Sequence, residues 1–280
     1  MLGSLLSYEQ VANADREYPL DEKLQKLHAG SGYPGGLFRI SEPVVLERVE
    51  ILSLIEQFQF NFLDDSRWQF IVSGLKNTTI ITFFAVLLGV FLGFLIAIVR
   101  STHDKTGKLK ILNVICRVYL TVIRGTPTMV QLLIVYYVIF ATVDPGKVIV
   151  AIIAFGMNSA AYVAEIVRSG IMSIDQGQFE AGRSLGLNYT QTMTKIILPQ
   201  AVKNILPALG NEMIVLLKET SISGYIGLTD LTRGGDIIRS QTYSALFPLL
   251  AVAAIYLVIV CFLTYLVGRL ERRLRNNERK

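Results

Sequence analysis

The sequence predicts an all-α membrane protein with about five transmembrane helices and a cytoplasmic two-helix loop. Hydrophobic residues make up 52% of the 280 residues, and the mean hydropathy is +0.48. The apolar residues are concentrated in uncharged runs, of which Ile81–Val99 has 19 residues and Ala245–Gly268 has 24. Because about 20 apolar residues in a helix cross the hydrocarbon core of a bilayer, both runs are long enough to span it.

The other elements follow from where charged and turn-forming residues interrupt the apolar sequence. Residues 1–64 are predicted to be an N-terminal extension, partly disordered, with an amphipathic helix near 43–63 that is too charged to span a membrane. Residues 65–270 form the transmembrane domain, and residues 271–280 are a basic cytoplasmic tail. Residues 223–241 are predicted to be a turn-rich link. The predicted spans are about 71–99, 127–143, 147–167, 204–222 and 242–267.

Two glycines in the first predicted span are four residues apart. Gly89-x-x-x-Gly93 is a spacing that lets two helix backbones approach closely in a membrane. Glycines are also tolerated in spanning helices without any such contact. The sequence leaves both interpretations open.

The distribution of lysine and arginine predicts the orientation of the chain. Segments 100–124, 168–203 and 269–280 carry six, four and six of these residues, whereas the opposing links carry only Lys147 and the pair Arg233 and Arg239. Basic residues are enriched in cytoplasmic loops, so five spans place the N-terminus outside and the C-terminus in the cytoplasm. The net charge of +5 is thereby explained by topology, and no nucleic-acid partner is expected.

Residues 173–200, here called the polar loop, separate the third and fourth predicted spans. Asp175 is a plausible N-cap for a first short helix, which Gly186 would end. Asn188-x-x-Gln191 is typical of a capping box at the start of a second helix, which Pro199 would end or kink. The pattern predicts two short helices that protrude on the cytoplasmic side.

The polar loop also contains a long and specific motif, E-A-G-x3-G-x9-I-x-L-P, from Glu180 to Pro199. It resembles the cytoplasmic signature loop of ABC-importer permeases, with Gly182 in place of the usual second alanine. The stretches starting at Arg124 (R-G-T-P-T-M-V-Q), Asn158 (N-S-A-A-Y-V-A-E-I-V-R) and Gly210 (G-N-E-M-I-V-L-L-K-E-T-S) are similar to the polar amino-acid uptake branch of that family. The resemblance covers about residues 65–270.

The resemblance implies the fold of a type I ABC-importer permease in the bacterial plasma (inner) membrane. It implies a second permease subunit, identical or homologous, two ATPase subunits, and an extracytoplasmic binding protein that delivers an amino acid. ATP and Mg²⁺ would bind to the partner ATPase, so this chain is expected to hold no cofactor and to be no enzyme. The residues implied in ATPase coupling are Glu180, Ala181, Gly182, Gly186, Leu198 and Pro199.

Polar residues inside the predicted spans or directly before one are candidates for a substrate path, because buried polarity in a membrane is costly. The candidates are Thr126, Asn158, Tyr162, Glu212, Lys218 and Glu219. Asn158 and Tyr162 share a helix face and either line the path or join helices. Glu212 is placed to meet a substrate ammonium or cationic side chain. For Lys218 and Glu219, three roles remain open: contact with the substrate, a salt bridge in a gate, and snorkelling toward the membrane surface. Glu165 is expected to pair with Arg168.

An ion-coupled transporter or a passive channel is the alternative function. Such transporters often contain inverted repeats, and we find no internal duplication in this sequence. The sequence contains no glycine-rich loop followed by Lys-Ser or Lys-Thr, which an ATPase would need to hold phosphate. The sequence does not predict which amino acid is carried.

Overall fold

The computed structural model describes residues 54–276. The predictions for residues 1–53, including most of the N-terminal extension and of its amphipathic helix, lie outside the described residues, as does the end of the basic tail. Residues 54–63, the described end of that predicted helix, are helical. Residues 54–276 form helices and turns without any strand, which confirms the all-α class for this part of the chain.

The α-helices of residues 68–276 are numbered here in chain order. They are α1 (Trp68–Thr106), α2 (Lys110–Gly125), α3 (Thr128–Ile134), α4 (Lys147–Met172), α5 (Gln176–Ser184), α6 (Tyr189–Thr192), α7 (Leu198–Glu219), α8 (Leu231–Thr242) and α9 (Leu246–Asn276). A π turn over Val135–Ile139 extends α3, and another over Met193–Ile197 joins α6 to α7. A 3-10 segment over Thr220–Ile226 follows α7.

Three described helices, α1, α4 and α9, are long and apolar enough to cross a membrane. Helices α2 and α3 together qualify as a fourth, but they meet at an angle of 113°. The predicted span 127–143 is therefore only the second arm of a bent pair and ends near Ile139. The predicted span 204–222 corresponds to α7, which is absent from this set; the helix carries four charged residues.

The predicted turn-rich link at 223–241 is wrong, because it contains α8. Asp230 caps this helix, accepting hydrogen bonds from the backbone N–H groups of Thr232 (3.0 Å) and Arg233 (3.2 Å). Burial raises the pKa of the Asp230 carboxyl to about 6, although these hydrogen bonds by themselves lower the pKa. Adjacent glycines are typical of turns, whereas Gly234 and Gly235 let α8 pack closely: an added Cβ would lie 2.5 Å from the Phe70 carbonyl oxygen and 2.4 Å from Val252 Cγ2, respectively.

Helices α1 and α4 form the central contact of the fold. A Cβ added at Gly89 would lie 2.8 Å from Ser159 Cβ, and one added at Gly93 would lie 2.6 Å from Val163 Cβ. Both distances are far inside van der Waals contact, so the two backbones approach as closely as they do because these positions lack a side chain. Of the two interpretations of the glycine spacing, the structure supports helix contact.

Candidate functional site

A cavity of about 590 Å³ lies between α4 and α7, beside the end of α2. We call it the α4–α7 cavity. Its charged and aromatic lining consists of Arg124 from α2, Tyr162 and Glu165 from α4, and Glu212 from α7. Its remaining walls are mostly small or amide side chains: Ile166, Ser169, Gly170, Ser173, Asn204, Ala208, Asn211 and Val215. The cavity therefore offers groups of both charges to a small polar molecule.

Glu212 is held in this wall by a neighbour on α4. Ser159 Oγ donates a hydrogen bond to Glu212 Oε1 at 2.9 Å, and Ser159 is fully buried. One carboxylate oxygen is thus fixed against the helix pair, while the residue still lines the cavity. An ionised carboxylate accepts several hydrogen bonds, so capacity remains for a ligand donor.

Glu165 lies in the α4 wall of the cavity, one turn from Tyr162, and is surrounded by guanidinium groups. It approaches Arg124 and Arg168 at 3.6 Å each and Arg100 at 3.9 Å. The expected pairing with Arg168 is therefore present, as one of three. Arg124 also lies over the Tyr162 ring, with 6.0 Å from its Cζ to the ring centroid.

The polar loop begins as α5 and turns sharply at its end. Asp175 Oδ1 accepts from Gly177 N at 2.6 Å, which makes it the predicted N-cap. Gly186 has φ +75°, and the bonds Leu187 N to Gly182 O and Gly186 N to Arg183 O form a Schellman motif. The predicted break at Gly186 thus requires a left-handed residue, which glycine supplies without strain.

The second half of the polar loop begins with the predicted capping box. Asn188 Oδ1 accepts from Gln191 N, and Gln191 Oε1 accepts from Asn188 N, both at 2.9 Å. Helix α6 continues through the π turn into α7, with Pro199 in its first turn. Pro199 therefore does not end the helix, and it lies directly after the π turn, where the regular α-helical hydrogen bonding is interrupted.

The polar loop is tied firmly to both helices that line the cavity. Asn204 Nδ2 on α7 donates to Ser173 Oγ at 2.8 Å, and Ser173 Oγ donates to the Gly170 carbonyl of α4. A Cβ at Gly170 would lie 2.3 Å from Ile205 Cγ1, so α4 and α7 are in close contact beside the loop. The polar loop is therefore joined directly to both walls of the cavity.

The outer surface of the polar loop is exposed. Leu185 is 76% exposed at the tip, and Glu180 and Ala181 are also exposed. The Glu180 carboxylate has no hydrogen bond or ion pair within residues 54–276, whereas its carbonyl accepts from Ser184 Oγ. Within the described residues, this carboxylate therefore caps no helix end.

The sequence matches a known family over residues 85–276, and that family is described as "Binding-protein-dependent transport system inner membrane component". The chain belongs to this family. The matched region contains both helices of the cavity and the whole polar loop.

Relatives whose names state a transport function are similar to this chain over most of their length. This inner-membrane component is 37% identical to the putative glutamine transport system permease protein GlnP of Rickettsia typhi, over 73% of this chain and 93% of that protein. It is 38% identical to the arginine transport system permease protein ArtQ of Bacillus subtilis, over 75% and 94% of the two chains. The crystal structure of an amino acid ABC transporter with histidines superposes with a TM-score of 0.69 at 43% identity, covering 76% of this chain and 98% of that chain. The resemblance to amino-acid ABC-importer permeases is thereby confirmed.

Two of the predicted substrate-path residues, Asn158 and Thr126, lie in a hydrogen-bond network outside the cavity. Asn158 is buried and donates to Gln131 Oε1 at 2.8 Å. Gln131 Nε2 in turn donates to Thr126 Oγ1 at 2.8 Å and to the Ile123 carbonyl at 2.7 Å. These bonds hold the bend between α2 and α3 against α4. Asn158 and Thr126 are absent from the cavity lining, and the joining role of Gln131 was missed in the sequence.

The remaining path candidates divide between the cavity and the far end of α7. Tyr162 lines the cavity and is 36% exposed. Lys218 is exposed and Glu219 half-buried, and both lie at the end of α7 that is distant from the polar loop. The structure thus brings together Tyr162 and Glu212 but not all six candidates.

The departure from the family motif at Gly182 has a local cause in this inner-membrane component. Gly182 is buried against Thr192 of α6, and a Cβ at this position would lie 2.5 Å from Thr192 Cγ2. An alanine here would therefore require the threonine to move. Leu198 and Pro199, the other end of the motif, form the first turn of α7.

Proposed function

We propose that this chain is the membrane-spanning permease subunit of an ATP-binding-cassette importer for polar amino acids. ATP and Mg²⁺ bind to a separate ATPase, which contacts this chain through the polar loop. The observation that carries the proposal is that α4 and α7 both line the cavity and both run into the exposed polar loop. No observation favours an ion-coupled or passive transporter.

The mechanism follows from the rigidity of this connection. Closure of an ATPase dimer moves the polar loop that is bound to its surface. This loop is a two-helix element that is hydrogen-bonded to α4 and α7. A rigid-body displacement of the loop then changes the separation of the cavity walls. Glu180, Ala181, Gly182, Gly186, Leu198 and Pro199 serve this coupling: the first two contact the ATPase, and the other four shape the loop.

The cavity suits the two charges that free amino acids share at neutral pH. Glu212 presents a carboxylate for an ammonium group, and Arg124 presents a guanidinium for a carboxylate. Tyr162 forms the wall between α2 and α4, whereas Asn158 and Thr126 support it from behind. Lys218 and Glu219 act at the other end of α7, as a gate. Relatives named for glutamine and arginine transport carry substrates with this same zwitterionic head group.

Glu212→Gln is expected to raise the apparent KM for uptake about tenfold, because a charge-assisted hydrogen bond contributes about 1.5–3 kcal/mol. The amide keeps the size of the side chain and can still accept from Ser159. Uptake of labelled glutamine, arginine, glutamate and cystine into proteoliposomes that contain the whole transporter measures the effect.

The matched control for this variant is Asp144→Asn. Asp144 accepts from Gly146 N at 2.9 Å in a turn outside the cavity, and an asparagine oxygen preserves that bond. Its uptake should equal that of the wild type. Unchanged KM values for every labelled amino acid in Glu212→Gln would remove this residue from the substrate path.

We also propose that the polar loop and the C-terminus face the cytoplasm, that a second permease subunit completes the channel, and that an external protein delivers the substrate. The support for the orientation is that segments 100–124, 168–203 and 269–280 carry most of the basic residues that lie outside the spans. With Cys116 and Cys261 replaced by serine, a membrane-impermeant maleimide applied to spheroplasts should label Tyr243→Cys and spare Leu185→Cys. These side chains are 95% and 76% exposed, so the reverse labelling would invert the topology.

A further inference from the structure

A second cavity, of about 540 Å³, lies on the other side of Glu165 and has a different character. Four arginines line it: Arg100 from α1, Arg117 and Arg124 from α2, and Arg168 from α4. We call these four residues the arginine cluster. Glu165 is the one acidic residue in the lining, so four positive charges and one negative charge leave a net charge of +3.

The arginine cluster is short of acceptors. The distances from Glu165 to three guanidinium groups are 3.6, 3.6 and 3.9 Å, longer than a hydrogen bond. Arg100 Nε is buried without a hydrogen-bond partner, and Arg117 has no ion pair within residues 54–276. Each guanidinium carries five N–H donors, far more than two carboxylate oxygens can satisfy. The arrangement therefore suits an added anion with several oxygens.

The position of the arginine cluster relative to the membrane indicates which kind of anion it binds. Arg100 directly follows the apolar run Ile81–Val99, and Arg168 directly follows the predicted span at 147–167, so both lie where spanning helices leave the hydrocarbon. Lipid phosphates lie at that depth. Beside Arg117, helix α2 exposes a row of apolar side chains: Val114, Ile115, Val118 and Val122 are 52–58% exposed. This row offers a surface for acyl chains next to the cationic cavity.

We propose that the arginine cluster binds the phosphate of an anionic phospholipid, with the acyl chains along the exposed face of α2. Arginine is suited to this ligand because its planar fork matches phosphate oxygens in pairs. The bound phosphate supplies the negative charge that Glu165 alone does not. This site shares Arg124 and Glu165 with the α4–α7 cavity, whereas Arg117 lines only the arginine-lined cavity. A test at Arg117 therefore does not depend on which molecule is carried.

The test uses the full-length protein, purified in neutral detergent with the subunits that co-purify, and native mass spectrometry with added lipid. Phosphatidylglycerol should bind more tightly than phosphatidylcholine, and Arg117→Gln should weaken phosphatidylglycerol binding about fivefold. The affinity of Arg117→Lys for phosphatidylglycerol should lie between those of the wild type and Arg117→Gln, because lysine keeps the charge and lacks the planar guanidinium. Arg117 is exposed and has no ion pair within the described residues, so its replacement should leave the melting temperature without lipid unchanged.

Arg273→Gln is the matched control, since Arg273 is exposed on α9 and its replacement removes the same charge outside the cluster. This variant should bind phosphatidylglycerol like the wild type. Equal weakening in both variants would indicate non-specific attraction and overturn the proposal. If phosphatidylglycerol bound no more tightly than phosphatidylcholine, and inorganic phosphate alone bound to the cluster, the ligand would be a soluble anion. That result would overturn the proposed lipid.

Discussion

Leu185→Asp is expected to lower ATP-driven uptake by at least about tenfold. Leu185 is 76% exposed at the tip of the polar loop, where the proposed ATPase contact would bury it. Burial of a leucine contributes about 1.5–3 kcal/mol, and the aspartate would in addition bring an unpaired charge into the contact. The measurement is uptake into proteoliposomes, together with the amount of ATPase subunit that co-purifies with the variant.

Leu109→Asp provides the control for this substitution. Leu109 is a 46% exposed leucine in the connection between α1 and α2, outside the polar loop. It has φ +59°, a conformation that aspartate accepts more readily than leucine, so the fold should not suffer. If Leu185→Asp kept full uptake and retained the ATPase, the polar loop would not be the coupling contact.

Gly93→Ala is expected to destabilise the protein by about 1–3 kcal/mol, the usual cost of overpacking. The new Cβ would lie 2.6 Å from Val163 Cβ and 2.9 Å from the Ala160 carbonyl oxygen, so α1 and α4 would have to separate. Because α4 also forms a wall of the α4–α7 cavity, uptake should fall with stability. Thermal unfolding in detergent, followed by loss of the monodisperse size-exclusion peak, measures the change.

Gly268→Ala is the matched variant with the opposite expected sign. Gly268 lies within α9, and a Cβ added there would meet no atom within 4 Å, apart from near neighbours in the helix. Alanine there gains about 1 kcal/mol of helix propensity without a clash. Equal thermal stability of Gly93→Ala and Gly268→Ala would show that the α1–α4 contact does not depend on the absence of a side chain.

The sequence by itself determined the polar loop and the helical membrane class. The cap at Asp175, the break at Gly186 and the capping box at Asn188 and Gln191 all appear as predicted. Each depends on hydrogen bonds between residues two to five positions apart, so a short stretch of sequence contains the whole interaction. Hydrophobic length is likewise a local property, which is why α1, α4 and α9 were found as spans.

Contacts between distant parts of the chain decided the rest. Gly234 and Gly235 indicate a turn in isolation, yet they lie in a helix because they fit against Phe70 and Val252. Glu212 meets Ser159 across 53 positions, and Asn158 meets Gln131 across 27, so sequence spacing did not separate the cavity residue from the one behind it. The convergence of four arginines from three helices was equally hidden. A side chain's neighbours depend on how helices pack, and only the tertiary structure specifies that packing.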